Sequence, residues 1–350
     1  MDIFSKEFFD ESKNFIATIY TLINKNGSSV KITNFGATIL EINVPDKLGD
    51  FNNVVAGFNK ISKYTENVCY FGATVGRCAN RISNGHFAIN NVDYYPNVNN
   101  GANSLHGGKV GFDKKLFTMV PNDEKLVLHY LSENGEESYP GNLDVNVVFS
   151  FDDDNCLTIE YFAKSDKDTL VNLTNHSYFN LTGFKDTIEK SKLYINADYY
   201  TPLNQNFVPT GEILAVKGTA FDFKTPKVIA TDLYGADPQI LLAGGYDHNY
   251  VLNNKGDINV PVAAIKDMVS GRCMEVYTTM PGMQLYTGNA LDGTLVNANG
   301  TVFKKNSAVC FETQHFPNAI NTPNFPSPIL KKDEVYNHIT KYRFSVNNNT

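Results

Sequence analysis

The chain has 350 residues, 42% of them hydrophobic, which is enough for one large β-domain or two ordinary ones and argues against wholesale disorder. Acidic residues number 37 against 30 basic ones, a net charge of −7 that disfavours a nucleic-acid surface, where clustered positive charge is needed. Five cysteines, odd in number and without a CxxC pair, suggest neither a zinc cage nor a disulfide framework, but reduced thiols in a cytoplasmic protein.

The N-terminal stretch MDIFSKEFFDESK carries acidic residues early and lacks the apolar core of a signal peptide. No run approaches the roughly 18 apolar residues of a membrane span, so no membrane association is expected. Short alternating runs then follow one another, separated by Gly, Asn, Asp and Pro: 16–24, 37–44, 125–132, 143–151 and 157–163, and later 259–265, 273–279 and 335–345. Leu143, Val145, Val147, Phe149 and Phe151 share one face of such a run, with Asp144, Asn146 and Ser150 on the other. This is the pattern of half-buried strands in antiparallel sheets. The segment 171–176 alternates in the same way and places His176 on the face opposite Leu173. Helical periodicity is confined to 58–66 and 229–235, and regular βα alternation is missing, which counts against Rossmann and TIM architectures. An all-β fold, a large antiparallel β-sandwich with few short helices, is expected as a single domain over 1–350. The first thirty residues read as an edge strand.

Motifs for other chemistries fail. No GxGxxG follows a strand, no GxxxxGK[ST] occurs, and GGKVGFDKK at 107–115 lacks the spacing and the helix of a phosphate loop. No GxSxG elbow is present. The seven histidines form no HxH or HExxH, so no metal and no cofactor are expected.

Five polar islands remain, each mixing amide or charged groups with glycine and aromatics, a combination suited to a sugar. They are FGATVGRCANRISNG with Arg77, Asn80 and Arg81; NNGANSLHGGKVGF with His106; VNLTNHSYFNLTG with His176 and Tyr178; GGYDHNYVL with Asp247 and His248; and VCFETQHF with Glu312 and His315. Gln284 in TMPGMQLYTGN supplies a further amide. Singly, each has an equally good structural explanation: a loop arginine in a surface ion pair, a turn histidine, an Asx turn before a strand. One imidazole, His176, and one carboxylate inside an apolar run, Glu312, nevertheless have the chemistry of an acid and a base for a neutral polar substrate.

In this order the islands resemble the aldose 1-epimerase (galactose mutarotase) family. The matching blocks are FGATVGRCANRI, SLHGG with KVGFDKK, YPGNLDV, NLTNHSYFNLTG, TPLNQNFVPTGEI, FDF, YDHNYVL, PGMQLYTGN and FETQHFPNAIN, covering roughly 30–345. The resemblance implies a β-supersandwich, no cofactor, and interconversion of the α and β anomers of free hexoses such as galactose and glucose. It places the family's general acid on His176 and its general base on Glu312. Its sugar-binding positions fall on Arg81 with Asn80, His106, Tyr178, Asp247 and Gln284. Phe117 stands where a tryptophan is common, away from the proposed catalytic groups.

Ring opening needs a base for the anomeric hydroxyl and an acid for the ring oxygen, and only proton transfers are required. Ordinary pKa values of about 4.3 and about 6.5 make Glu312 ionised and His176 mostly neutral near pH 7, so a carboxylate, Glu312 or Asp247, must lie near His176 to hold it protonated. The partner expected is a small aldose, with neither nucleic acid nor membrane, and the chain a monomer or weak homodimer. Two rival readings are a non-catalytic carbohydrate-binding module and a hexose-phosphate 1-epimerase. The second would want several arginines converging on a phosphate, and the chain has only Arg77, Arg81, Arg272 and Arg343.

Overall fold

The computed structural model describes residues 1–10, 14–58, 60–122, 124–297 and 300–347. Alternating sequence has become antiparallel sheet throughout. A nine-stranded sheet runs in the order Thr118–Val120, Leu126–Ser132, Leu143–Phe151, Cys156–Ser165, Val335–Val346, Arg272–Thr278, Ala263–Lys266, Lys192–Ile195 and Lys227–Val228. Its registers keep the apolar set on one side: Val147 lies opposite Tyr161, and Ile159 opposite Thr340. A five-stranded sheet is formed by Asp2–Asp10, Phe15–Ile23, Ser29–Thr33, Thr38–Pro45 and Phe51–Asn53. A second is ordered Leu214–Ala215, Ala197–Thr201, Asp247–Leu252, Gly282–Tyr286 and Cys310–Gln314.

One cluster of buried apolar side chains draws on all three sheets, among them Leu22 and Ile39, Leu143 and Ile159, and Met283 and Phe311. Each fully buried side chain of this size stabilises the fold by about 1.5–3 kcal/mol relative to exposure. The all-β sandwich expected from the alternation is therefore the fold observed, and Asp2–Asp10 is an edge strand.

Several boundaries differ from the sequence pattern. Apart from a lone parallel bridge from Asn172 to Cys78, the run 171–176 forms a strand only at Thr174–Asn175, paired with Thr74–Val75. Beyond it the Asn175 side chain donates to Gly72 O at 2.8 Å and the ladder gives way to loop contacts. The run 259–265 becomes strand only at Ala263–Lys266, after Pro261, which has no N–H to give a ladder. Helix over 58–66 reduces to a 3-10 segment, Ile61–Glu66, and position 59 lies outside the described residues. The helix expected over 229–235 is Ala230–Leu233. A further short helix, Pro238–Ala243, was not expected from periodicity; Asp237 caps it by accepting from Gln239 N and Ile240 N, and Gly244 ends it in the left-handed region. Among the described residues no helix is long and apolar enough to cross a membrane.

Candidate active site

The floor of the site follows from strand alternation. Asn249 pairs with Gln284, and Gln284 with Glu312, across three adjacent strands. Asp247, Asn249, Gln284, Tyr286 and Glu312 therefore share one face. The intervening residues Tyr250, Met283, Leu285 and Phe311 face the apolar core. This separates the neighbours Asp247 and His248. Asp247 turns to a cavity of about 620 Å³, whereas His248 is buried 4.7 Å from the Phe221 ring and touches Gln239.

The opposite wall comes from two loops joined by the short pairing of Arg81–Ile82 with Ser104–Leu105. Leu105 lies opposite Arg81, so His106 emerges beside the guanidinium. Asn80, at φ 61°, exchanges backbone contacts with His106: its N–H donates to His106 Nδ1 at 3.2 Å, and its carbonyl accepts from His106 N at 3.1 Å. Gly107 follows at φ +92°, where a Cβ would lie 1.9 Å from Gly76 O, so only glycine fits this turn.

The third wall carries the candidate acid. His176 N–H donates to Ala73 O at 2.9 Å, and its carbonyl accepts from Gly72 N at 3.0 Å, which fixes the loop after the strand. Its ring is nearly parallel to Tyr178 (5.0 Å, 18°) and to Tyr70 (6.0 Å, 21°), and Tyr70 also packs on His106 at 4.6 Å. His176 Nε2 and Glu312 Oε1 are 3.5 Å apart.

Charge is disfavoured here by burial. The His176 imidazole is pushed down to about 4, and His106 well below the usual imidazole range, first by burial and then by its neighbours His176 and Arg81. Glu312 is raised well above the usual carboxylate range by burial and by Asp247, with Arg81 opposing. Burial thus opposes charge on both partners of the Glu312–His176 pair. This replaces the expectation of a simply ionised Glu312, which ignored the cost of burying a charge.

His106, His176 and Glu312 bring ligand-type atoms within 4.8 Å of one another, close enough for a metal ion. The hydrogen bond from Asn80 N–H to His106 Nδ1 argues otherwise: it leaves the ring proton on Nε2, making that atom a donor and not a metal ligand.

Asn80, Arg81, His106, His176, Tyr178, Asp247 and Glu312 all line this one cavity. Gln284 shares the sheet face of Asp247 and Glu312 but is not among the lining residues; its Nε2 donates to Asp247 Oδ1 at 2.7 Å. Gln284, expected as a substrate contact, holds the Asp247 carboxylate in this structure. Arg77 is buried and spent on Ser132, Pro140, Gly141 and Glu133. His315 packs against His338 at 5.8 Å, outside the cavity wall. The sequence reading missed Tyr70, Phe207, Asn100 and Tyr286, which also line the cavity. Tyr70 and Phe207 both have positive φ, a backbone state that sequence pattern does not reveal for aromatic residues.

A β-sandwich with amides, one guanidinium, a carboxylate and imidazoles converging between aromatic rings has the chemistry of a carbohydrate site, with an imidazole and a carboxylate side by side. The family model described as aldose 1-epimerase matches residues 18–343, and the chain belongs to the aldose 1-epimerase family, a family of isomerases. It is 44% identical to mouse (Mus musculus) galactose mutarotase over 319 residues, 91% of each chain. It is 35% identical to the aldose 1-epimerase of Escherichia coli strain K12 over 330 residues, 93% of this chain and 94% of that one. Among solved structures it resembles a galactose 1-epimerase from Lactobacillus acidophilus, with a TM-score of 0.85 and 30% identity over 99% of both chains.

Proposed function

We propose that this chain interconverts the α and β anomers of free hexoses such as D-galactose and D-glucose, with Glu312 as general base and His176 as general acid. Family membership supports the aldose 1-epimerase activity. The observation that carries the residue roles is the 3.5 Å approach of His176 Nε2 to Glu312 Oε1 at the bottom of the cavity.

The pair holds one proton in either of two arrangements. With Glu312 a carboxylate and His176 an imidazolium, Glu312 takes the anomeric hydroxyl proton while His176 protonates the ring oxygen, and the C1–O5 bond breaks. The products are the open-chain aldehyde, a carboxylic acid and a neutral imidazole, so no net proton is gained or lost. Rotation about C1–C2 exposes the other carbonyl face. Closure then returns the proton from Glu312 to the new anomeric oxygen, and the C5 hydroxyl proton to His176. Burial favours the neutral arrangement, which is the one that accompanies the open chain. His106 donates through Nε2 to a sugar oxygen, and Arg81 with Asp247 fixes the hydroxyl register.

Free sugars suit the cavity better than phosphorylated ones. Arg81 is the single Lys or Arg of the described residues that lines it, whereas Arg272 is tied to Val44, Leu181 and Asp50 carbonyls. A purely sugar-binding module has no need of a buried acid/base pair. We read the chain as one catalytic unit, supported by the core shared among its three sheets, cytoplasmic, and a monomer or weak homodimer.

The test is polarimetry of freshly dissolved α-D-galactose and α-D-glucose, with and without a phosphate ester. Acceleration of the free sugars above the spontaneous rate is expected. Acceleration of the phosphate ester alone, or of neither, would overturn the reading.

A further inference from the structure

We propose that Phe207 is a positioning residue for Arg81 and a specificity element of the sugar site: its ring, set by a strained turn, holds the guanidinium in place at the cavity wall. The inference rests on the reading of the cavity as a sugar site and adds a residue to it.

The two arginines of the first island differ in how they are held. Every nitrogen of the Arg77 guanidinium donates to Ser132, Pro140, Gly141 or Glu133, so its own hydrogen bonds fix it. Arg81 has one such bond, Nε to Asn100 Oδ1 at 3.1 Å, and a loose ion pair from Nη1 to Asp247 Oδ2 at 3.8 Å. Its terminal nitrogens are therefore available to a ligand but do not themselves define the plane of the group. The Phe207 ring supplies that constraint, with its centroid 5.5 Å from the Arg81 guanidinium carbon, in the range of a cation–π contact.

The position of Phe207 is itself over-determined. At φ 59° it occupies the left-handed region, unfavourable for a bulky side chain. The turn is closed around Asn204, whose Oδ1 accepts from Asn206 N at 2.8 Å and whose carbonyl accepts from Phe207 N at 2.9 Å. Asn103 Nδ2 donates to Asn206 O at 2.9 Å and pins this turn to the Arg81 side of the cavity. Asn103 also closes the turn that presents Asn100 to Arg81, its N–H donating to Asn100 O at 2.9 Å. One loop thus sets both the hydrogen bond and the aromatic face that hold the guanidinium. Phe207 lines the same cavity as the Tyr70 ring, so it also offers an apolar surface to the C–H face of a hexose.

The experiment compares Phe207→Ala and Phe207→Tyr in the full-length protein. Three readouts are taken: KM and kcat for mutarotation, the dissociation constant for galactose, and the NMR shift of the Arg81 Nε–H. For Phe207→Ala, KM and the dissociation constant should rise about 3- to 10-fold, kcat should change little, and the Arg81 signal should lose its ring-current shift. Phe207→Tyr, which keeps the ring, should restore all three. Phe207→Gly, which suits the backbone angle, replaces alanine if that variant fails to fold. Unchanged KM and affinity in the ring-less variants, or a tyrosine variant as impaired as alanine, would overturn the proposal. The Arg81 signal is read without sugar, so an unmoved signal refutes the contact even if the functional reading fails. Absence of galactose binding in the parent refutes the functional reading alone.

Discussion

His176 and Glu312 meet at 3.5 Å with side chains only 6% and 3% exposed, and His176 Nδ1 and Glu312 Oε2 are buried without a hydrogen-bond partner. Leaving buried polar atoms unpaired costs about 1–3 kcal/mol each. A fold that carries this cost in a cavity lined by polar groups has a site prepared for a polyhydroxylated ligand.

The pair should give a flat pH profile where an ordinary histidine would titrate. Activity requires one proton on the pair. Burial lowers His176 to about 4 and raises Glu312, so a second proton joins the pair only as pH nears that lowered imidazole value. Turnover measured by polarimetry should be level from about pH 5.5 to about pH 7, and fall only as pH nears the lowered imidazole value. Half-loss near pH 6.5 would mean an unshifted imidazole controls the rate.

Stability should fall with pH where activity is still level. His176, His315 and His338 are held near about 4, His248 near about 3, and His106 well below its usual range, each chiefly by burial. A lowered folded-state pKa means the unfolded chain binds the proton first. Stability from these groups is complete above about pH 6.5 and is lost as pH falls towards the folded values, at up to about 1.4 kcal/mol per pH unit for each. Glu312, raised, acts in the reverse sense: its contribution is complete below about pH 4.5 and lost as pH rises. The imidazoles outnumber it, so the melting temperature should drop between pH 7.5 and 5. A melting temperature that holds or rises would contradict the burial of these rings.

Gln284→Leu should loosen Asp247 while keeping both members of the acid/base pair. A hydrogen bond to a charged group contributes about 1.5–3 kcal/mol, and the expected effect is a KM about tenfold higher with a smaller change in kcat. A loss confined to kcat would instead put Gln284 in contact with the reacting atoms.

Much of this was legible before coordinates. The strands around Leu143–Phe151 follow from alternation because a half-buried sheet demands it, and the blocks holding His176 and Glu312 stood out as polar groups in apolar runs. What sequence could not give was depth and direction. Asp247 and His248 are adjacent, and only the strand phase sends one to the cavity and the other into the core. The resemblance offers Gln284 as a sugar contact, and only the structure shows its amide bonded to Asp247. The helix Pro238–Ala243 had its signals, Asp237 before proline and Gly244 after, but was too short for periodicity. Tyr70 and Phe207 reach the cavity through backbone angles that residue type does not announce.

Gly107→Ala should disable the site through the backbone. The added Cβ would strike Gly76 O at 1.9 Å in a left-handed turn, and a loss of at least about 2 kcal/mol is expected from denaturant midpoints. Chelation, by contrast, should do nothing: the His106 tautomer set by Asn80 disfavours a metal, so rates before and after dialysis against EDTA should agree. A chelator-sensitive rate restored by zinc would reassign the three-residue cluster as a metal site.

The most direct test is mutarotation of α-D-galactose by Glu312→Gln and His176→Asn, with sugar affinity measured on the same variants. Each should lose about 10²- to 10⁴-fold in kcat, the usual contribution of a positioned acid or base, while still binding galactose. Near-parental turnover in either variant would contradict the account.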